Sequence, residues 1–163
     1  MSESVERVVV GVNGSEASVE ALRQGAREAA RHGAVLCPTY AWTPPGGEAA
    51  DARYPAPADV CAYWESEADR VMADTCRKAF GTAPRGVRVR PWVVRAPAGT
   101  ALVAHAHHDT DLLVMGAGRR GALHRFLHGS VSRYCLKHAR CPVLVVRTDD
   151  EDATPAESPD SGR

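Results

Sequence analysis

Aromatic side chains are scarce: two phenylalanines, three tryptophans and four tyrosines make up 6% of the 163 residues. Trp42, Tyr54, Tyr63, Trp64 and Trp92 are few and scattered, so they read as core or loop packing rather than as a base-stacking platform for nucleic acid. Net charge is missing as well, because 20 basic residues cancel 20 acidic ones and the pI lies near 7.0. No global field therefore draws the chain to nucleic acid or to an anionic membrane, and any charged partner must be met locally. No apolar stretch approaches the roughly 20 residues of a membrane span. The opening MSESVERVVV lacks the basic start, apolar run and small-residue cleavage site of a leader, which predicts an unexported, cytoplasmic protein. The cysteines, Cys37, Cys61, Cys76, Cys135 and Cys141, are odd in number and include no CxxC pair, so they signal neither a disulfide framework nor a zinc knuckle. There is also no GxSxG elbow and no Gly-Lys-Ser/Thr of the Walker type, which removes the usual serine-hydrolase and P-loop readings.

The length suits one domain, predicted over residues 1–148. The acidic and then Pro- and Ser-rich residues 149–163 have almost nothing to bury and are predicted to be a disordered tail. RVVVGVN at residues 7–13 is an apolar, β-branched run without polar alternation, as in a strand buried on both faces of a parallel sheet. Gly14 marks a turn, Ser15 can cap a helix, and Val19, Leu22, Ala26 and Ala29 recur at helical spacing until Gly33 supplies the stop.

Residues 34–42 predict a second strand, with Pro38 arguing for an edge, a bulge or a shorter strand. Residues 43–58, rich in Pro and Gly, predict a long exposed loop. Helical spacing resumes at Asp59 and ends around Gly81, and residues 87–94 predict a third strand despite Pro91. Residues 99–108 predict a short helix, DLLVM at residues 111–115 a buried strand, residues 129–138 another helix, and residues 143–147 a last strand. Strands separated by helix-length segments imply right-handed crossovers and a doubly wound parallel sheet. Ligands on such sheets bind beyond the strand carboxyl ends, where strand order reverses.

The richest segment is residues 114–132, VMGAGRRGALHRFLHGSVS, in which a buried strand runs into a glycine-rich basic loop and then a Gly-Ser helix start. Glycines let backbone amides approach an anion, and the helix start at Gly129 and Ser130 supplies N–H donors and the positive end of a dipole. Arg119, Arg120 and Arg125 add positive charge. His105, His108 and Asp109 fall at spacings that place them on one helical face and could ligate a metal, but with no Cys or second acidic cluster nearby in sequence they read as an exposed helix end.

Three segments in order, VVVGVNGSEASVEAL at residues 8–22, DLLVMG at 111–116 and GSVSRYCLKHARCPVLVV at 129–146, resemble the universal stress protein family across nearly all of residues 7–147. The resemblance implies a three-layer α/β fold, adenine nucleotide alpha hydrolase-like and so Rossmann-like, with a five-stranded parallel sheet and four helices. It also implies a homodimer through Val143 to Val146 and, in some members, ATP bound on a loop written G, two residues, G, nine residues, G, then Ser or Thr. On this sequence Gly116 matches the first glycine, and Gly129 with Ser130 the last pair. Arg119 stands at the middle glycine, with Gly118 one place early. By the same resemblance Gly11, Val12, Asn13, Gly14 and Ala41 line the adenine and ribose side, Met115 and Gly116 begin the phosphate loop, and Val131 forms the far wall. Asn13 replaces the family's acidic residue and lacks a carboxylate for metal-assisted binding.

Three functions follow as expectations. The first is a stress-response binding module for ATP, with or without magnesium, or a related adenine nucleotide, with slow hydrolysis at most, acting on a protein partner that the sequence does not name. The second is a nucleotide-free interaction protein whose pocket Arg119 closes. The third is a small flavodoxin-like enzyme or flavin carrier.

Overall fold

The computed structural model describes residues 4–117 and 130–147; the predicted tail and the boundary at residue 148 lie outside them. Strand β1 (Arg7–Gly11) carries Val8, Val9 and Val10, all fully buried. A strand with apolar side chains on both faces needs cover on both, and β1 lies at the centre of the sheet. The five strands, completed by β2 (Val35–Trp42), β3 (Trp92–Arg95), β4 (Asp111–Gly116) and β5 (Val143–Val146), are all parallel in the order β3-β2-β1-β4-β5.

Helices cover the two faces. Helix α1 (Glu16–His32) begins where the Ser15 hydroxyl accepts from the Ser18 N–H at 3.2 Å, and it ends at Gly33, whose φ of 66° is left-handed. It lies so close to β1 that a Cβ on Gly25 would stand 2.5 Å from Val10 Cγ2. With α3 (Ala58–Phe80) it packs on Val8, Val10, Leu36 and Val114 through Ala21, Leu22 and Met72. On the opposite face α4 (Ala98–His105) and α5 (Ser130–His138) pack on Val9, Cys37, Leu113 and Met115 through Leu102, Ala106 and Cys135. All five cysteines are free thiols.

The structure departs from the sequence-based expectation in three places. The loop after β2 contains a short helix, α2 (Glu48–Arg53), so the described residues hold five helices rather than four. Pro38 lies inside β2, in register with Val10 of β1, and β2 is not an edge. In β2 the N–H and C=O of Leu36 both turn towards the β3 side, bonding Arg88 and Arg90, whereas Val35 and Thr39 bond towards β1. Pro38 shares the parity of Leu36, so its missing donor faces the gap between the Leu36–Val89 bridge and the start of β3 at Trp92. Pro91 falls in the same gap, which is why the third strand is confined to Trp92–Arg95.

The third departure is at α4, which stops at His105 rather than at 108. The His105 carbonyl accepts from Arg7 Nη2 at 3.0 Å, and the His108 N–H donates to Asp111 Oδ2 at 3.0 Å, turning the chain into β4. His105, His108 and Asp109 therefore do not share a helical face. Asp111, with no side-chain exposure, takes both arms of Arg7, at 2.8 Å from Nε and 2.6 Å from Nη2, and so ties β1 to β4 at their amino ends. Burial would raise the Asp111 carboxyl, but Arg7 and the His108 N–H outweigh it and hold it below the ordinary value.

Candidate functional site

Between β1 and β4 the strand order reverses: β2 and β3 extend to one side of β1, while β4 and β5 extend to the other. The crevice beyond the carboxyl ends of these two strands is where open parallel sheets place ligands. Register brings the expected residues to it. Val10 pairs with Val114, so Gly11 and Met115 are level with one another, as are Val12 and Gly116. Gly11 also pairs with Thr39 of β2, which puts Ala41 level with Asn13. The amino end of α1 approaches from one face and that of α5, with Ser130 and Val131, from the other. Two helix starts at one crevice turn unsatisfied N–H groups and two positive dipole ends towards it. Gly118, Arg119 and Gly129 lie outside the described residues.

The glycines at the rim have separate reasons. Gly14 has φ of +82°, a left-handed conformation that turns the chain from β1 into α1. A Cβ on Gly116 would stand 2.4 Å from the Ala17 carbonyl oxygen, so the end of β4 lies directly against the first turn of α1. Asn13 is exposed, and its Oδ1 accepts from the Ser15 N–H at 3.0 Å and from the Ser15 hydroxyl at 2.5 Å. These bonds fix which amide atom is oxygen and leave the Asn13 NH2 without a partner among the described residues.

Residues 4–147 match the profile of the universal stress protein family. The chain belongs to that family. A universal stress protein of Mycobacterium tuberculosis (strain H37Rv) is 32% identical over 153 residues, covering 88% of this chain and 48% of the relative. One from Mycolicibacterium smegmatis is 28% identical over 151 residues, covering 90% and 49%. This universal stress protein thus spans about half the length of the curated relatives it matches.

Among solved structures, a universal stress protein crystallised in complex with cAMP is 27% identical, with a TM-score of 0.57, covering 90% of this chain and 99% of that one. The universal stress protein UspA of Lactobacillus plantarum, at 24% identity and a TM-score of 0.65, covers 88% and 99% and shares the fold. In this universal stress protein no helix among the described residues is long and apolar enough to cross a membrane.

Two arrangements escaped the sequence-based reading of this universal stress protein. His105 Nδ1 lies 2.8 Å from Thr39 Oγ1, which also stands 3.1 Å from the Cys37 carbonyl, so the ring is tied to β2 by a hydrogen bond. Burial, helped by Arg7, lowers the His105 pKa, and the Trp92 ring stands 4.5 Å away. This histidine is a packed element beneath the sheet edge. The second arrangement is at the carboxyl end of β3, where Arg95 meets Glu48 and Asp51 of α2. Both require register between distant strands, which spacing along the chain does not reveal.

Proposed function

We propose that this universal stress protein is a regulatory module that binds ATP, or a related adenine nucleotide, in the crevice between β1 and β4. The observation that carries the reading is the convergence of the α1 and α5 amino ends on the point where strand order reverses, an arrangement suited to an anionic nucleotide. The cAMP complex of the 27%-identical family member supports the same ligand class. Gly11, Val12, Asn13, Gly14 and Ala41 form the base and ribose side. Met115, Gly116, Gly118, Arg119, Gly129 and Ser130 form the phosphate side, and Val131 the far wall. With Asn13 in place of a carboxylate, magnesium arrives with the phosphates rather than on a protein ligand.

The protein acts in the cytoplasm as a homodimer. β5 pairs only with β4 among the described strands, and its apolar residues Val143 to Val146 are all half-buried. Pairing with a second copy across a twofold axis covers an edge that would otherwise be a hazard.

Titration calorimetry with ATP, magnesium and cyclic AMP tests the nucleotide reading on the wild type, Arg119→Gly and Gly129→Val. Binding by the wild type that Gly129→Val weakens supports it. Absence of binding in the wild type with recovery in Arg119→Gly favours the nucleotide-free alternative, which the arginine at a glycine position of the family pattern motivates. Absence in both overturns it.

A further inference from the structure

The chain leaves the sheet after Trp42, one residue beyond Ala41, and does not return to the crevice until α3, where Val71 Cγ1 would stand 3.3 Å from a Cβ on Gly14. The intervening chain therefore connects two points at the crevice, and residues 47–57 form a strap within that connection. Its ends differ: Gly46 and Gly47, with φ of 83° and 87°, lie on one side, and the stiff Pro55 and Pro57 on the other.

The strap has little of its own to hold it. Its helix, α2, is six residues long and buries none of them. A single turn of helix is unstable alone, because nucleation fixes several residues for each hydrogen bond gained. Two of its backbone bonds, Asp51 N–H to the Gly47 carbonyl at 3.2 Å and Tyr54 N–H to the Ala50 carbonyl at 3.0 Å, are internal to it, and the others only join its ends to the adjoining chain, Gly47 N–H to the Pro44 carbonyl at 2.8 Å and the Pro57 carbonyl to the Val60 and Cys61 N–H groups at 3.1 Å. Tyr54 is 81% exposed and anchors nothing.

One side chain reaches it from the sheet. Arg95 Nε and Nη2 each donate to a Glu48 carboxylate oxygen at 2.9 Å, and Nη2 also donates to Asp51 Oδ2 at 2.7 Å. The guanidinium carbon stands 5.7 Å from the centroid of the Trp42 ring, the cross-strand partner of Arg95 in the β2–β3 ladder. Arg95 therefore links the last residue of β2 to both acids of the strap in a planar, forked geometry that lysine cannot copy. The Arg95 hydrogen bonds hold both carboxyls below their ordinary values, so the clamp is ionised at neutral pH.

We propose that Arg95 is a positioning residue of the crevice, clamping the strap at residues 47–57 so that the wall between Ala41 and Gly14 is preformed when a nucleotide arrives. The inference rests on the adenine-nucleotide reading for its ligand, and on the clamp alone for its mechanics. If loss of the clamp leaves the closed strap in about a fifth of molecules, the apparent affinity falls about fivefold, since affinity scales with the competent fraction. The loss should appear in the association rate, because the clamp sets how much of the free protein is ready to bind.

The test uses the full chain as wild type, Arg95→Ala and Arg95→Lys. Amide hydrogen exchange at residues 48–56 is measured without ligand, ATP with magnesium and cyclic AMP are titrated, and melting is recorded as a control. In Arg95→Ala we expect strap exchange to accelerate about tenfold or more, nucleotide affinity to fall about fivefold through slower association, and the melting temperature to stay close to the wild type. Arg95→Lys should recover part of both effects. Strap exchange in the wild type should quicken with added NaCl more than that of Arg95→Ala.

Unchanged strap exchange in Arg95→Ala would overturn the clamp. Faster exchange with unchanged nucleotide affinity would overturn the positioning role while leaving the clamp. A wild type that binds neither nucleotide would overturn the ligand reading and the positioning role with it, and only that outcome is independent of the Arg95 variants.

Discussion

Replacing Asp111 with Asn keeps the shape of a fully buried side chain and removes its charge. In the wild type the carboxylate accepts three hydrogen bonds, two from Arg7 and one from the His108 N–H. The amide can accept only through its oxygen, so its NH2 would face an Arg7 donor. Removing one partner of a buried ion pair costs about 3–5 kcal/mol. Arg7 keeps 27% of its side-chain exposure, so it can turn partly into water, and we expect a cost nearer 2–3 kcal/mol. That is a sizeable part of the ~5–15 kcal/mol that holds a domain folded. Urea unfolding at pH 7 measures it, and a double-mutant cycle with Arg7→Met should return a coupling of about 1–2 kcal/mol. The pH dependence gives a second reading. Asp111 has a depressed pKa in the folded state, so its contribution is fully present above the unfolded value near ~3.9 and is lost as pH falls through the folded value. Asp111→Asn should flatten the decline of stability in that acid window. A loss under about 1 kcal/mol, or variants that add without coupling to within about 0.5 kcal/mol, would refute the brace.

Other outcomes follow from single contacts. Gly25→Ala should destabilise by about 1–3 kcal/mol by overpacking against Val10, despite alanine's better helix propensity; urea unfolding reads this. Gly116→Ala should cost a similar ~1–3 kcal/mol, because the obstacle is the Ala17 backbone rather than a movable side chain. Burial pushes the Cys135 thiol up to about 11, so at pH 8 it should be alkylated far more slowly in the folded protein than in urea, as peptide mapping after timed iodoacetamide labelling would show.

The alternation of buried strands and helices was legible because a parallel sheet covered on both faces demands apolar runs such as those at Val8–Val10 and Leu112–Val114. The crevice was legible for the same reason, since Gly11 to Gly14 and Met115 to Gly116 stand at the carboxyl ends of the two clearest strands. Pro38 misled, because a proline in a strand reads as an edge until the direction of its missing donor is known. That direction depends on where the β3 ladder begins. The end of α4 was not legible, because local spacing carries the helical pattern to 108 whereas Arg7 and Asp111, distant in sequence, end it at His105. Arg95 gave no signal at all: its acids lie 44 and 47 residues away, in a segment whose prolines and glycines predict only a loop.

The Arg7–Asp111 brace sits at the amino edge of the sheet, whereas the ligand crevice opens at the carboxyl edge. The five residues of β1 separate them by about 17 Å at the usual rise of a strand. The fastening of the fold and the proposed ligand site therefore lie at opposite rims of one molecule. A lineage can rewrite the upper rim, as at Asn13, without loosening the fastening below. Such a division suits a scaffold whose copies diversify by signal while keeping one architecture.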